Sequence, residues 1–437
     1  MTLYPTRRAI LLTAAGAPLA LAMAVAAPQL WVAAGAWVVM AAGLMLADAL
    51  LSAKPAAATL AVSAPRTAGV GRPEAAEVTA ASEGGAPQQV EVALGGNDRL
   101  AVSPVRQVVR LASGSARATF ELAPGRRGEG RLERVWARWQ GPLGLVWRQR
   151  EAAPAREVLV TPDVQGVKEE ALRLFARDAA FGMKAQLETG EGSDFHALKE
   201  FQTGMDTRAI DWKQSARHAR LVAREFRTER NHHVILAIDS GRLMSAPLAG
   251  LARVDHAINA ALLLAFVGLK LGDRLGLFAF DSRPRVASGV TAGAQAFPLI
   301  QRLAAEIDYS AEETNFTLGL TTLAGRLDRR ALVVVFTDFA DPTSAELMVE
   351  NVQRLMRTHL VLFVVFRDQE LEDLVRAEPK DADDVSRAVV AQALLRQRDA
   401  VVGRLKRLGA QIVEAPAGEL GPALVGAYLD TKRRELV

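Results

Sequence analysis

Two aspartates stand where strongly apolar runs stop. Asp239 closes the run His232 to Asp239 (HHVILAID), and Asp338 closes Ala331 to Asp338 (ALVVVFTD). A hydroxyl, Thr314, lies in the polar segment Glu313-Thr314-Asn315-Phe316-Thr317. Two carboxylates and a hydroxyl are hard oxygen donors of the kind that hold Mg²⁺. Arg242, three residues after Asp239, offers a different chemistry. Its guanidinium could lie over the paired carboxylates and neutralise them in place of a cation. A plainer reading has both aspartates capping loops and accepting backbone N–H groups. The preferred expectation is a site that is metal-free or binds Mg²⁺ weakly.

These residues need a scaffold, and the pattern from His232 onward supplies one. Short runs rich in Val, Leu, Ile and Phe alternate with longer helical patterns. Strands are expected at His232 to Asp239, Arg274 to Phe280, Ala331 to Asp338, His359 to Phe366 and Gln411 to Glu414, with an edge strand near Arg285 to Val290. Helices are expected at Val254 to Leu271, Gln295 to Ile307, from Thr317, at Ala345 to Met356, at Val385 to Leu408, and at the C-terminus. Apolar strands separated by helices predict a mostly parallel sheet covered on both faces. Such sheets bind ligands beyond the carboxyl ends of their strands, where Asp239 and Asp338 fall.

Upstream, residues 56–163 read as β structure of the sandwich kind. Short alternating runs such as Gln89-Val90-Glu91-Val92 and Ala118 to Leu122 are separated by Gly, Pro and Ser clusters. Further upstream, Ala9 to Ala27 and Leu30 to Leu51 contain a single charge, Asp48. Each has the length of a membrane span, and Pro28-Gln29 between them reads as a tight turn. Arg7 and Arg8 before the pair, and Lys54, Arg66 and Arg72 after it, predict a hairpin with both ends in the cytoplasm. Thr6-Arg7-Arg8 also reads as a twin-arginine export signal and Ala24-Val25-Ala26 as a cleavage site, which would send the rest of the chain outside.

Composition narrows the function. The 437 residues carry a net charge of only +4, too little to argue for nucleic-acid binding, and aromatic content of 5% does not build a base-stacking platform. The excess is local: residues 101–150 hold ten Arg against three Glu. That patch is either a solvated face or a surface drawn to anionic head groups. The absence of cysteine excludes disulfides, thiolate metal sites and cysteine nucleophiles. The sequence contains no P-loop. The histidines lack metal-ligand spacing, and neither Ser215 nor Ser240 sits in a nucleophile elbow. A binding module is expected rather than an enzyme.

The densest mixture of charge, aromatics and turn residues precedes the first long strand. It runs from Gly192 through Phe195, Leu198, Phe201, Gly204, Asp206, Arg208, Ile210-Asp211-Trp212-Lys213 and Ala216-Arg217 to Leu221 and Arg224-Glu225. In an extended segment, Asp206 with Arg208 and Asp211 with Lys213 would each share a face. This reads either as an ion network that locks the segment in place or as a docking surface with Trp212 as anchor. The stretch resembles the signature of the domain of unknown function 58 family. The part that follows resembles a von Willebrand factor type A domain, whose metal-ion-dependent adhesion site begins Asp-x-Ser-x-Ser, adds a Thr and ends with an Asp. Asp239, Thr314 and Asp338 match that pattern. Gly241 and Leu243 stand where the serines would be, and Ser240 is out of register. The resemblance implies an N-terminal membrane hairpin, a β domain, and partnership with a MoxR-type AAA+ ATPase in maturing protein complexes.

The resulting expectation is an α/β protein in four parts: a transmembrane hairpin (1–54), a β-sandwich-like domain (56–163), the signature segment (166–230) and a von Willebrand type A-like domain (231–437). It would sit at a bacterial inner membrane with its folded parts cytoplasmic, bind a protein partner and not nucleic acid, and use the cluster Asp239, Gly241, Arg242, Thr314 and Asp338. Any metal would fall to Asp239, Thr314 and Asp338. The alternatives are a Mg²⁺-dependent adhesion protein outside the cell and a hydrolase using the paired acids.

Overall fold

The computed structural model describes residues 2–26, 31–52, 58–82, 89–112, 114–154, 156–180, 194–202, 207, 210–218, 220–227, 232–293, 295–339 and 342–434. The chain divides into two compact units, Met1–Thr161 and Pro162–Val437.

In the first unit a short strand, β1 (Thr2–Pro5), leads into helices α1 (Arg7–Ala26) and α2 (Trp31–Leu51). Ten strands follow: β2 (Ala58–Ser63), β3 (Thr67–Gly69), β4 (Glu74–Ser82), β5 (Gln89–Gly96), β6 (Leu100–Ser103), β7 (Arg106–Arg110), β8 (Ser115–Pro124), β9 (Gly128–Gln140), β10 (Val146–Ala152) and β11 (Arg156–Thr161). A four-stranded sheet runs β2-β4-β8-β6, and a seven-stranded sheet is built around β9. Alternation along β8 makes much of the core: Ala118, Phe120 and Leu122 pack with Val90, Val92 and Leu94 of β5 and Leu132, Val135 and Ala137 of β9.

The two N-terminal helices correct an expectation. Among the described residues no helix is long and apolar enough to cross a membrane. The two-span hairpin does not hold, nor does the multi-pass inner-membrane location drawn from it. The composition gives the reason for α1: two arginines open it, eight of its twenty residues are alanine, and Gly16 and Pro18 interrupt it. Alanine adds little hydropathy per residue. The helices instead pack on each other, with the Trp37 indole N–H donating to the Leu12 carbonyl at 3.1 Å. A side chain at Gly16 would collide with the Trp37 ring, 2.2 Å from its Cδ1. Asp48, fully buried near the end of α2, accepts the backbone N–H groups of Leu143, Leu145 and Val146 at 2.7, 2.7 and 2.9 Å. The charge that a membrane span would have to tolerate therefore fastens α2 to the β9–β10 turn.

The second unit opens with α3 (Val164–Ala180), β12 (Asp194–Glu200), α4 (Trp212–His218) and β13 (Val222–Arg227). Strands β12 and β13 form an antiparallel pair. Then come β14 (His233–Asp239), α5 (Arg242–Ser245), the small hairpin β15 (Pro247–Leu248) and β16 (Leu251–Ala252), α6 (Arg253–Lys270), β17 (Arg274–Phe280), β18 (Pro284–Ala287), α7 (Ala296–Glu306), α8 (Phe316–Ala324), β19 (Ala331–Phe336), α9 (Pro342–Met356), β20 (Leu360–Phe366), α10 (Gln369–Arg376), α11 (Ala382–Arg407), β21 (Gln411–Ala415) and α12 (Leu420–Arg433). The six-stranded sheet has the order β18-β17-β14-β19-β20-β21. All pairings are parallel except β17 with the edge strand β18.

Alternation along β14 feeds two cores. Val234, Leu236 and Ile238 face α6 and α12, while Ile235 and Ala237 face the side of α8, α9 and α11. Helix α6 is apolar nearly all round because it is covered on all sides: Ala257, Ile258, Leu264 and Ala265 have no exposed surface. At the amino ends of the strands, Lys432 on α12 places its Nζ 2.8 Å from both carboxylate oxygens of the buried Asp273. That pins the last helix to the sheet. The order of the parallel strands reverses between β14 and β19, so a crevice opens beyond their carboxyl ends.

Candidate functional site

Each of the four central parallel strands ends in an aspartate or is followed by one within two residues: Asp239 (β14), Asp281 (β17), Asp338 (β19) and Asp368 (β20). All four are buried. The sequence reading used two of them. The others were legible by the same rule, a carboxylate ending an apolar strand.

Asp239 is held by its own surroundings. Oδ1 accepts the Thr314 hydroxyl at 2.7 Å and the Gly241 N–H at 2.9 Å, and Oδ2 accepts the Thr337 hydroxyl at 2.7 Å. Burial pushes this carboxyl up to about 6 against the pull of those three bonds, with Asp281 adding a little in the same direction. Thr314 reaches it because the loop before α8 is stapled to the sheet. The Arg242 N–H donates to the Glu312 carbonyl at 2.8 Å, the Asn315 N–H donates to the Asp281 carbonyl at 2.9 Å, and the Asn315 side chain caps α8 by accepting from the Leu318 N–H. Gly241 is required by this closeness. A Cβ there would lie 2.0 Å from Thr314 Oγ1 and 3.2 Å from Asp239 Oδ1.

Asp338 lies in a separate network. Its Oδ2 accepts from Arg253 Nε at 2.9 Å and its Oδ1 from the Phe339 N–H at 2.9 Å, with Arg398 Nε 3.8 Å away. Arg253 also donates to Asp368 at 2.6 Å, and Arg398 to Glu414 at 2.8 Å. Burial raises the Asp338 pKa, and Arg253 and Arg398 draw it back only in part. Asp281 goes the other way: burial is outweighed by the Arg285 guanidinium, whose Nε stands 2.8 Å from both of its oxygens, and the carboxyl falls below its ordinary range.

The structure thus brings Asp239, Gly241 and Thr314 together, and sets Asp338 apart with its own cation. Arg242 does not lie over the carboxylates. Its side chain is exposed and pairs with Glu313 at 2.5 Å. Arg253, missed in the sequence, does the neutralising. Its only sequence signal is an arginine at the start of a long apolar helix.

The oxygens that a magnesium ion would need are engaged within the protein. Both oxygens of Asp338 are engaged, one by a guanidinium that would repel a cation. The space beside Gly241, where a serine ligand would project, is taken by the Thr314 hydroxyl.

In the signature segment, Gly204, Asp206 and Arg208 lie outside the described residues. Asp211 starts α4, its carboxylate accepting the N–H groups of Lys213 and Gln214 at 3.1 Å each. Lys213 and Arg217 are exposed, and Trp212 is 69% exposed, an unusual position for an indole.

With this geometry in place, residues 197–402 match the family described as "Protein of unknown function DUF58". The matched part runs from β12 through most of α11 and takes in every residue of the strand-end cluster except Glu414. No curated protein matches the chain. Among solved structures, a conserved hypothetical protein, BatB, from Bacteroides thetaiotaomicron is similar at 11% identity and a TM-score of 0.30, over 46% of this chain and 99% of that one. An uncharacterized membrane spanning protein from Vibrio fischeri is similar at 14% identity and a TM-score of 0.18, over 47% and 99%. Both likenesses are too slight to carry an argument.

Proposed function

We propose that this protein is a protein-interaction module that docks a partner on the carboxyl edge of its parallel sheet. The observation that carries this reading is the division of labour at that edge. The four buried aspartates are held by internal donors, while Arg242 and Glu313 stand beside them with side chains 68% and 73% exposed. Leu318, 43% exposed in the first turn of α8, lies on the same rim. An exposed charge pair and an apolar side chain on rigid, stapled elements can serve as a recognition surface. Trp212 at the start of α4 supplies a second anchor of the residue type most enriched in binding hot spots.

The partner is an AAA+ ATPase of the MoxR type, acting with this protein in the maturation of protein complexes. That half rests on the resemblance of the Gly192 to Glu225 stretch to the family signature, and of the strand-end pattern to von Willebrand type A proteins. The test is binding of purified MoxR-type ATPase to the immobilised full-length chain and its Arg242→Glu and Glu313→Lys variants. Each reversal should weaken binding at least tenfold while leaving the thermal midpoint within about a degree, since exposed pairs contribute little to stability. Undiminished binding by both variants would remove the rim from the reading.

A further inference from the structure

From the geometry of α11 we infer that this chain pairs with a second copy of itself through the first half of that helix. The carboxyl-terminal half of α11 is anchored: Arg398, Val401, Val402 and Leu405 are buried against the sheet domain. The amino-terminal half buries Ala391, on the side away from a second face that is left uncovered. Val385, Val389, Val390 and Leu394 are 48%, 60%, 60% and 38% exposed. Single exposed apolar side chains are ordinary, but four along one face of one helix are not.

With about 100° between successive residues, Val385 and Val389 form one flank of a stripe, and Val390 and Leu394 form the other. Small residues, Ser386 and Ala393, run down its midline. This pattern is symmetric about the point midway between residues 389 and 390. A two-fold axis there, with the helices antiparallel, sets Ser386 opposite Ala393 of the second copy. It brings Val389 against its own copy, and Val390 likewise. The small midline residues let the helix axes approach to roughly 8 Å, the close end of helix packing.

Charge follows the same symmetry. The first turn of α11 is acidic, with Asp381, Asp383 and Asp384 at its start, and Arg396 lies beyond the stripe at the other end. Antiparallel pairing lays the acidic turn of each copy beside Arg396 of the other, whereas parallel pairing would put the two acidic turns together. The occupant that fits this face is therefore the face itself, in an isologous contact. This surface does not include the strand-end rim, so the inference stands or falls apart from the proposed docking site.

The chain contains no cysteine, which makes the test clean. Full-length Ser386→Cys and Ala393→Cys proteins are made separately and oxidised alone and as an equal mixture. In the antiparallel pair each introduced thiol lies about 10 Å along the axis from its own copy, too far for a disulfide, but directly opposite the other variant's thiol. The mixture should give a disulfide-linked dimer at least tenfold above either protein alone. Adding Val389→Lys to both should return it to the level of the single proteins. Exposed positions were chosen so that folding is unaffected, and far-ultraviolet circular dichroism checks this. Equal crosslinking with and without mixing, or none in the mixture of folded proteins, overturns the inference.

Discussion

Replacing Asp239 by asparagine should stabilise the sheet domain at neutral pH. The carboxyl is fully buried, and burial raises its pKa from 3.8 to about 6. A carboxyl with a folded pKa above its unfolded value is held protonated by the native state. Native stability is therefore full below the unfolded pKa and is lost as the pH rises through the folded one. A displacement of about two units corresponds to about 3 kcal/mol removed between pH 4 and pH 7. Asparagine never ionises. Its carbonyl can still accept from Thr314 or Thr337, though its amide cannot serve both hydroxyls as a carboxylate does. Relative to the native protein, Asp239→Asn should be equal or slightly weaker at pH 4 and should gain about 2–3 kcal/mol by pH 7. Five of the six tryptophans lie in the first unit, so fluorescence would report the wrong part of the chain. Hydrogen exchange of the slowest β14 and β19 amides across this pH range reads the sheet directly. If the variant loses ground as the pH rises, the ionised carboxylate is a net stabiliser. The bonds from Thr314, Gly241 and Thr337, or a bound cation, would then outweigh burial, and the account of the site given above would be wrong.

Two further substitutions probe the same edge. Gly241→Ser places a side chain where the Thr314 hydroxyl already sits and should cost about 1–3 kcal/mol by forcing Thr314 away. Combining it with Thr314→Ala should recover part of that loss in thermal unfolding, and failure of this rescue would mean that the two residues do not compete for space. Arg253→Met leaves Asp338 and Asp368 buried without their guanidinium and should cost about 3–5 kcal/mol at pH 7. That cost should shrink towards pH 4 as the Asp338 carboxyl, which burial raises, protonates, and a pH-independent loss in denaturant titrations would point to packing instead.

Local pattern determined much of this protein. The alternation of Val234 to Ile238, the uninterrupted apolar runs of β19 and β20, and the long apolar stretch of α6 each state how an element must be covered, because side-chain direction repeats every two or 3.6 residues. Asp239 and Asp338 were legible for a related reason: a carboxylate that ends an apolar strand falls at the sheet's carboxyl edge. Hydropathy misled at the N-terminus. A run of alanines with one aspartate reads as a span by length, yet Asp48 finds its partners about a hundred residues later, in the β9–β10 turn.

The site's electrostatics belonged to the tertiary structure alone. Arg242 is the cation nearest to Asp239 in sequence, but its backbone is fixed by the Glu312 carbonyl and its side chain turns to Glu313. The guanidinium that neutralises Asp338 comes from Arg253, 85 residues away. Periodicity carries information over a turn or two of chain. Which charge meets which across the end of a sheet depends on strand order and loop closure, and these exist only once the domain has folded.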